Sequence, residues 1–351
     1  MINTIIIKHP IKYLNKIVIF INKRGIMFNM KLDKKDKKIL YELYKNSRLS
    51  YSEIAKKVKL SKETCIYRIN NLIKNKIITN FATLIGLGNL GLFSHKIYFQ
   101  LHGLTEEKKK SMISDLKSNK RINWIAECVG EYDLIIAILC KNIKEFDEEK
   151  NKILQKYSDY IQNYEIGIMS ETHIYGRSYL LNKQNQEELF LIGKLNPVKL
   201  DDKDKKILNL LSLNARIQIL EISKKTKLNV KTIISRIKKL EKENIIQGYK
   251  IFLDLDKINY KFYKAFISVN KMNKEDFSKF LNFCKSNKNI IHLVENVGSW
   301  ELEPEFEVET DDKFYEIINN MKKQFPDLIK RVNTARIIKE HKIIYSPIEI
   351  I

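Results

Sequence analysis

Leu32-Asp33-Lys34-Lys35-Asp36-Lys37-Lys38-Ile39-Leu40 returns as Leu200-Asp201-Asp202-Lys203-Asp204-Lys205-Lys206-Ile207-Leu208, an offset of 168 residues. The offset holds without a gap far downstream. Asn46 and Arg48 recur as Asn214 and Arg216, Thr64 and Arg68 as Thr232 and Arg236, and Val129-Gly130 as Val297-Gly298. Solenoid units run about 20–50 residues, so a period this long marks a duplicated unit of domain size. Every role assigned to one copy must therefore be checked against the other.

The chain of 351 residues has room for several domains with their own cores. Its 44% hydrophobic content, with only 11 Gly and 5 Pro, excludes a disordered or low-complexity protein. The net charge of +22, from 64 Lys+Arg against 42 Asp+Glu, suits a polyanionic partner. A lysine-rich background composition would produce the same excess, so charge alone does not assign nucleic acid. Cys65, Cys128, Cys140 and Cys284 lack CxxC spacing, and the six histidines form no cluster. They read as reduced cytosolic thiols, with no metal and no cofactor expected. Residues 1–30 carry Lys8, Lys12, Lys16, Lys23 and Arg24 without an acid, and the apolar run Ile17 to Ile21 is too short to span a bilayer. They are read as an extension ahead of the native start, or as a basic arm.

Each copy opens with three short helices. Asp33 with Asp36, and Asp201 with Asp204, make N-caps. A second helix is expected over residues 51–58, Lys59-Leu60 turns the chain, and Ser61 caps a third helix. Helix, short turn, helix is the DNA-binding layout. At 100° per residue, Cys65, Ile69, Leu72 and Ile73 face the core in copy one, as do Ile233, Ile237 and Leu240 in copy two. The outward and N-terminal positions are Lys62, Glu63, Thr64, Tyr67, Asn71 and Lys74, then Lys231, Thr232, Ser235, Lys238, Lys239 and Lys242. Such mixed polar faces suit base edges and phosphates. The second helix should hold the backbone harder, and the first has more base-reading chemistry. Arg68 and Arg236 lie beside the core face, where a structural or a phosphate-clamping role is open.

The rest of each copy alternates strand, helix, strand, strand, helix, strand. Copy one offers strands at 95–101, 124–129, 134–140 and 164–170. Copy two offers 263–270, 291–297, 302–308 and 332–338. That order is the ferredoxin-like βαββαβ sandwich. The fold class is thus α+β, a tandem duplication of winged helix-turn-helix plus ferredoxin-like domain. The expected units are 31–85, 90–181, a linker 182–199, 200–253 and 258–346.

The head motifs, Asn46-Ser47-Arg48, Arg68-Ile69-x-x-Leu72 and the loop Gly130-Glu131-Tyr132-Asp133 resemble the Lrp/AsnC (feast/famine) transcriptional regulators. The resemblance covers residues 32–346 and is strongest in the heads. It implies a cytoplasmic DNA-binding regulator, not an enzyme, with double-stranded DNA as partner and no membrane. It also implies an amino-acid or small-metabolite effector at interfaces between sandwich domains, near Gly130 and Asp133. Copy two reads Gly298 and Glu301 there, which puts ligand binding at that loop in question. Siroheme decarboxylases share these units, but their histidine- and arginine-bearing motifs and Asn-x-Trp-Phe-like stretch are absent. A sensing scaffold without DNA binding is a further alternative.

Glu301, Glu303, Glu305, Glu307 and Glu309 occupy one face of a strand, where copy one has Asp133, Ile135, Ala137, Leu139 and Lys141. Carboxylates in a row repel unless solvated or matched by cations. The expectation is that apolar copy-one sheets pair chains into a homo-oligomer, while the acidic sheet of copy two faces solvent or a basic surface.

Overall fold

The computed structural model describes residues 4–6, 17–22, 25–30, 32–184, 188–190, 197–270, 273–344 and 347. Part of the expected linker 182–199 lies outside them. β1 (Thr4–Ile6), β2 (Ile17–Asn22) and β3 (Gly25–Met30) form a small antiparallel sheet ahead of the first head.

The first head is α1 (Lys34–Lys45), α2 (Tyr51–Val58), α3 (Lys62–Lys74) and the wing strand β4 (Ile78–Ile85). Its helices start where the caps dictate. Asp33 accepts from the Lys35 and Asp36 amides, Ser50 from Glu53, and Ser61 from Thr64. Lys59 supplies the left-handed turn between α2 and α3. Cys65, Ile69 and Leu72 are buried as expected, whereas Ile73 is 38% exposed. Copy one continues with β5 (Phe93–Leu101), α4 (Glu106–Ser118), β6 (Ile122–Gly130), β7 (Leu134–Cys140), α5 (Ile143–Lys156) and β8 (Ile161–Tyr175). The short β9 (Glu188–Phe190) pairs with the end of β8.

Copy two repeats the plan. Its head is α6 (Asp202–Leu213), α7 (Ile219–Thr226), α8 (Val230–Lys242) and β10 (Ile246–Leu253). Its sandwich is β11 (Lys261–Val269), α9 (Lys274–Ser286), β12 (Ile290–Gly298), β13 (Leu302–Val308), α10 (Asp311–Gln324) and β14 (Ile329–Ile343).

The last strand of each copy runs to 15 residues, well beyond the expected 164–170 and 332–338. Its first half pairs within its own sheet and its second half crosses to the other copy. β8 leaves β5 to pair with β12, and β14 leaves β11 to pair with β6. The strand order β12-β13-β11-β14-β6-β7-β5-β8 therefore closes on itself into an eight-stranded ring, which removes free sheet edges. Gly130 and Gly298 sit at the two crossings. A Cβ on Gly130 would lie 2.5 Å from the Thr334 carbonyl oxygen, and one on Gly298 2.5 Å from that of Ile166. The two glycines and the two carbonyls are each related by the 168-residue offset, so closure is built the same way twice.

This topology overturns the expectation for the sheet faces. Ile135, Ala137 and Leu139 are buried against copy two of the same chain, so that face cannot pair with a second chain. The acidic face turns inward as well, with Glu303 0%, Glu305 6% and Glu307 1% exposed. The physical reason is charge matching. Lys96 lies 2.8 Å and Lys264 2.7 Å from Glu303, Lys264 also bonds Glu305, and His292 Nδ1 is 2.7 Å from Glu305. Arg177 grips Glu307 with two bonds of 2.7 and 2.8 Å. Burial by itself would raise the Glu303 and Glu305 carboxyls, but Lys264 and its neighbouring cations hold both below the ordinary range. Four rings fill the adjoining space. Tyr98 packs on Trp300 at 4.7 Å, and Tyr132 on Phe266 at 5.1 Å; Tyr98 and Phe266 are one position in the two copies, as are Tyr132 and Trp300.

Candidate nucleic-acid interface

The two heads are joined through their wings. β4 and β10 form an antiparallel ribbon in which Thr83 faces Tyr249. The Ser47 amide donates to the Tyr249 carbonyl and the Ala215 amide to the Phe81 carbonyl, both at 2.9 Å. Arg48 donates to the Ala215 carbonyl, and Arg216 returns bonds to the Ser47 and Leu49 carbonyls. Arg216 also lies over Tyr51, with its guanidinium carbon 4.8 Å from the ring centroid. The hydrogen bonds are reciprocal under the 168-residue offset, whereas the Arg216–Tyr51 contact is not, because Ile219 stands where copy one has Tyr51. They hold α3 and α8 as a fixed pair on one molecule.

On α3, Lys62, Glu63, Thr64 and Lys74 are exposed, Tyr67 is 65% exposed, and Asn71 is half-buried. On α8, Lys231, Ser235, Lys238, Lys239 and Lys242 are exposed and Thr232 is half-buried. Asn71 and Asn75 are tied together by a side-chain bond of 2.9 Å. Arg68 stands apart. It donates to Asp33 and to the buried Asp36, both at 2.8 Å, tying α3 to the start of α1. Arg236 does the same with Asp201 and Asp204. Of the two roles open to these arginines, the geometry displays the structural one.

The loops expected near an effector lie at the sheet crossings. Asp133 accepts from the Leu101 amide at 2.7 Å, and Glu301 accepts from the Val269 amide at 2.9 Å. These acceptors and donors are equivalent in the two copies, so the change from Asp to Glu preserves this bond. Gly130 and Gly298 are accounted for by close backbone approach.

Lys96 and Lys264 were not singled out from the sequence. The available signal was a lysine at the same place in both copies, within β5 and β11. Arg48 and Arg216 were legible as repeated residues, but their bond partners lie 167 residues or more away.

A closed barrel of two ferredoxin-like units carrying a covalent pair of winged helices defines a two-headed helix-turn-helix protein. A family model described as winged helix-turn-helix DNA-binding matches residues 32–79 and again 200–247. An HTH-type transcriptional regulator of Pyrococcus abyssi is 31% identical over 142 residues, 40% of this chain and 94% of its own length. The transcriptional regulator AzlB of Bacillus subtilis is 28% identical over 123 residues, 35% of this chain and 76% of its own length. The solved siroheme decarboxylase NirDL superposes with a TM-score of 0.60 at 12% identity, covering 89% of this chain and 93% of its own, a likeness of fold. The chain belongs to the Lrp/AsnC-type helix-turn-helix transcriptional regulators, as two tandem copies. Among the described residues no helix is long and apolar enough to cross a membrane.

Proposed function

We propose that this DNA-binding transcriptional regulator reads two segments of duplex from a single chain, with α3 and α8 entering the major groove. The observation that carries this is the wing ribbon with its reciprocal arginine bonds, which presents two exposed recognition faces in fixed relation. Lys62, Glu63, Thr64 and Tyr67, with Asn71 and Lys74, supply base- and phosphate-directed chemistry in the first head. Lys231, Thr232, Ser235, Lys238, Lys239 and Lys242 supply a more cationic face in the second. A bidentate lysine or asparagine contact is worth about 1–3 kcal/mol of base discrimination, whereas the lysines add affinity that falls with salt. An amino acid or small metabolite near the Gly130–Asp133 and Gly298–Glu301 loops would act where the two sandwiches meet, at the base of the heads. Selection from a random DNA pool tests the reading. A recovered site with two half-sites supports it, and no enrichment at about 50 mM salt refutes it.

The architecture shared with a decarboxylase supports one further trial. The space between the two sheets is filled here by Tyr98, Tyr132, Phe266, Trp300 and the lysine–glutamate network. Incubation with siroheme is therefore expected to return the substrate unchanged.

A further inference from the structure

Lys34, Lys37 and Lys38 follow the i, i+3, i+4 spacing along α1 and so share one face of it. Asp36, with the cap Asp33, holds Arg68 of α3 from the same first turn. Tyr44 docks the other end of α1 on the barrel, its hydroxyl donating to the Tyr175 carbonyl at 3.3 Å. Between the lysine face of α1, the turn Ser178–Leu181 and the copy-two sandwich lies a cleft of about 420 Å³. Lys288 and Lys313 of that sandwich also line it, which sets five lysines around one hollow. Glu309 is the one carboxylate among the described lining residues, and the Tyr260 hydroxyl donates to it at 2.7 Å. Lys288 donates to the Asn182 side chain, and Lys313 pairs with Glu316 at 2.7 Å. The lining also includes Leu180 and the rings of Tyr179 and Tyr260, which are buried with centroids 4.4 Å apart. A second hollow of about 240 Å³ adjoins the cleft and shares Lys288, Asn289 and Lys313 with it.

The equivalent positions of the other copy carry different chemistry. Asp202 stands for Lys34, Glu145 for Lys313, Lys141 for Glu309 and Leu92 for Tyr260. Glu145 is moreover bonded to Arg121 at 2.8 Å. The duplicated fold therefore does not require the lysine cluster, which belongs to one place in the chain. Ammonium groups gathered around one hollow repel one another, and a bound polyanion relieves that repulsion.

We propose that this cleft binds an organic polyphosphate of the nucleotide class, its phosphates among the five lysines and its base against Leu180 and the tyrosine pair. Lysines act as point charges and suit several phosphates, whereas a single carboxylate is better gripped by an arginine fork. The volume falls within the small-ligand range of about 300–1,000 Å³, and the adjoining hollow gives length that a small dicarboxylate would leave unfilled. A free amino acid is a poor match, because Tyr260 already engages the carboxylate that would receive its ammonium group. None of the residues of the Gly130–Asp133 and Gly298–Glu301 loops takes part. The ligand bridges α1 to the barrel, and α1 is tied to α3 through Arg68. Occupancy thus fixes the first head on the barrel and leaves the second head untouched.

ATP titrated calorimetrically into the full-length, DNA-free chain should bind saturably at one per chain. Inorganic tripolyphosphate should bind more weakly and succinate not at all. Hydrogen exchange at the amides of residues 34–45 should slow with ATP, while residues 202–213 stay unchanged. The double variant Lys34→Asp with Lys313→Glu places the residues of the other copy in this cleft. It should weaken ATP roughly tenfold, since each exposed charge contact contributes modestly and two are reversed. Lys38→Ala, which removes one charge without reversing it, serves as the test if the double variant does not fold. No saturable ATP uptake by the parent chain overturns the proposal, as does undiminished uptake by a folded variant. Tripolyphosphate binding as tightly as ATP would make this a plain anion site and overturn the nucleotide assignment. Variants that lose DNA affinity while keeping ATP would mark the lysines as contacts to the DNA backbone, which also overturns it.

Discussion

Lys96 and Lys264, the same position in the two copies, converge on one carboxylate oxygen, Glu303 Oε1, at 2.8 and 2.7 Å. Copy one has isoleucine where copy two has Glu303, so the shared acid comes from one side only. A symmetric pair would leave either two buried ammonium groups or none. Truncating one partner of a buried pair strands the rest, at a cost of about 3–5 kcal/mol. Lys264→Met should lower unfolding stability in urea by that order. Lys264→Met combined with Glu305→Gln should recover part of the loss, since one uncompensated carboxylate is gone.

His95 sits under the copy-one sheet, edge-on to Phe146 at 5.3 Å, and its Nδ1 accepts from the Met169 amide at 3.2 Å. Burial pushes the imidazole down from 6.5 to about 4. Between those values the unfolded chain binds a proton that the folded chain refuses, so stability falls as pH falls through this window. The full effect is roughly 3 kcal/mol. Thermal melts between pH 7 and pH 4 should show this decline, and His95→Gln, which keeps an acceptor, should flatten it.

Arg68 and Tyr67 are neighbours on α3 with separable roles. Arg68→Ala leaves the buried Asp36 without its cation and should cost roughly 2 kcal/mol of stability, less than a fully buried pair because Arg68 is partly solvated. Tyr67→Ala removes an exposed ring and should shift stability by no more than about 0.5 kcal/mol. It should nevertheless weaken DNA binding in a gel shift. If Tyr67→Ala binds the selected DNA as well as the parent chain does, α3 is not the reading helix.

Gly298→Ala places a methyl 2.5 Å from the backbone oxygen of Ile166, which no side-chain rotation can relieve. The β8–β12 crossing must open, at about 1–3 kcal/mol. Hydrogen exchange at the amides of residues 167–174 should speed up, while exchange in α3 and α8 should stay unchanged.

Arg216→Ala removes the bonds to the Ser47 and Leu49 carbonyls without touching either recognition face. Affinity for a two-half-site DNA should drop while affinity for a single half-site is retained. Equal loss on both would mean that the head itself, rather than its pairing, was damaged.

Local chemistry made the heads legible. The caps at Asp33, Ser61 and Asp201 act within three residues, and the apolar faces of α3 and α8 follow helical period. The βαββαβ order was equally readable, because alternation and turn residues are short-range signals. Strand ends were not. β8 and β14 run on past their own sheets because they find partners in the other copy, and no residue inside 164–175 or 332–343 announces that partner.

The sequence by itself determined that there are two copies, what each is made of, and which residues differ between them. It left the meaning of those differences open. Glu303, Glu305 and Glu307 look like a solvated face when read along the strand. They are interior because Lys96 and Arg177 arrive from the other copy and Lys264 and His292 from adjacent strands of their own. Only the tertiary structure could decide this, since the free energy of a buried carboxylate depends on cations that chain topology delivers from far along the sequence.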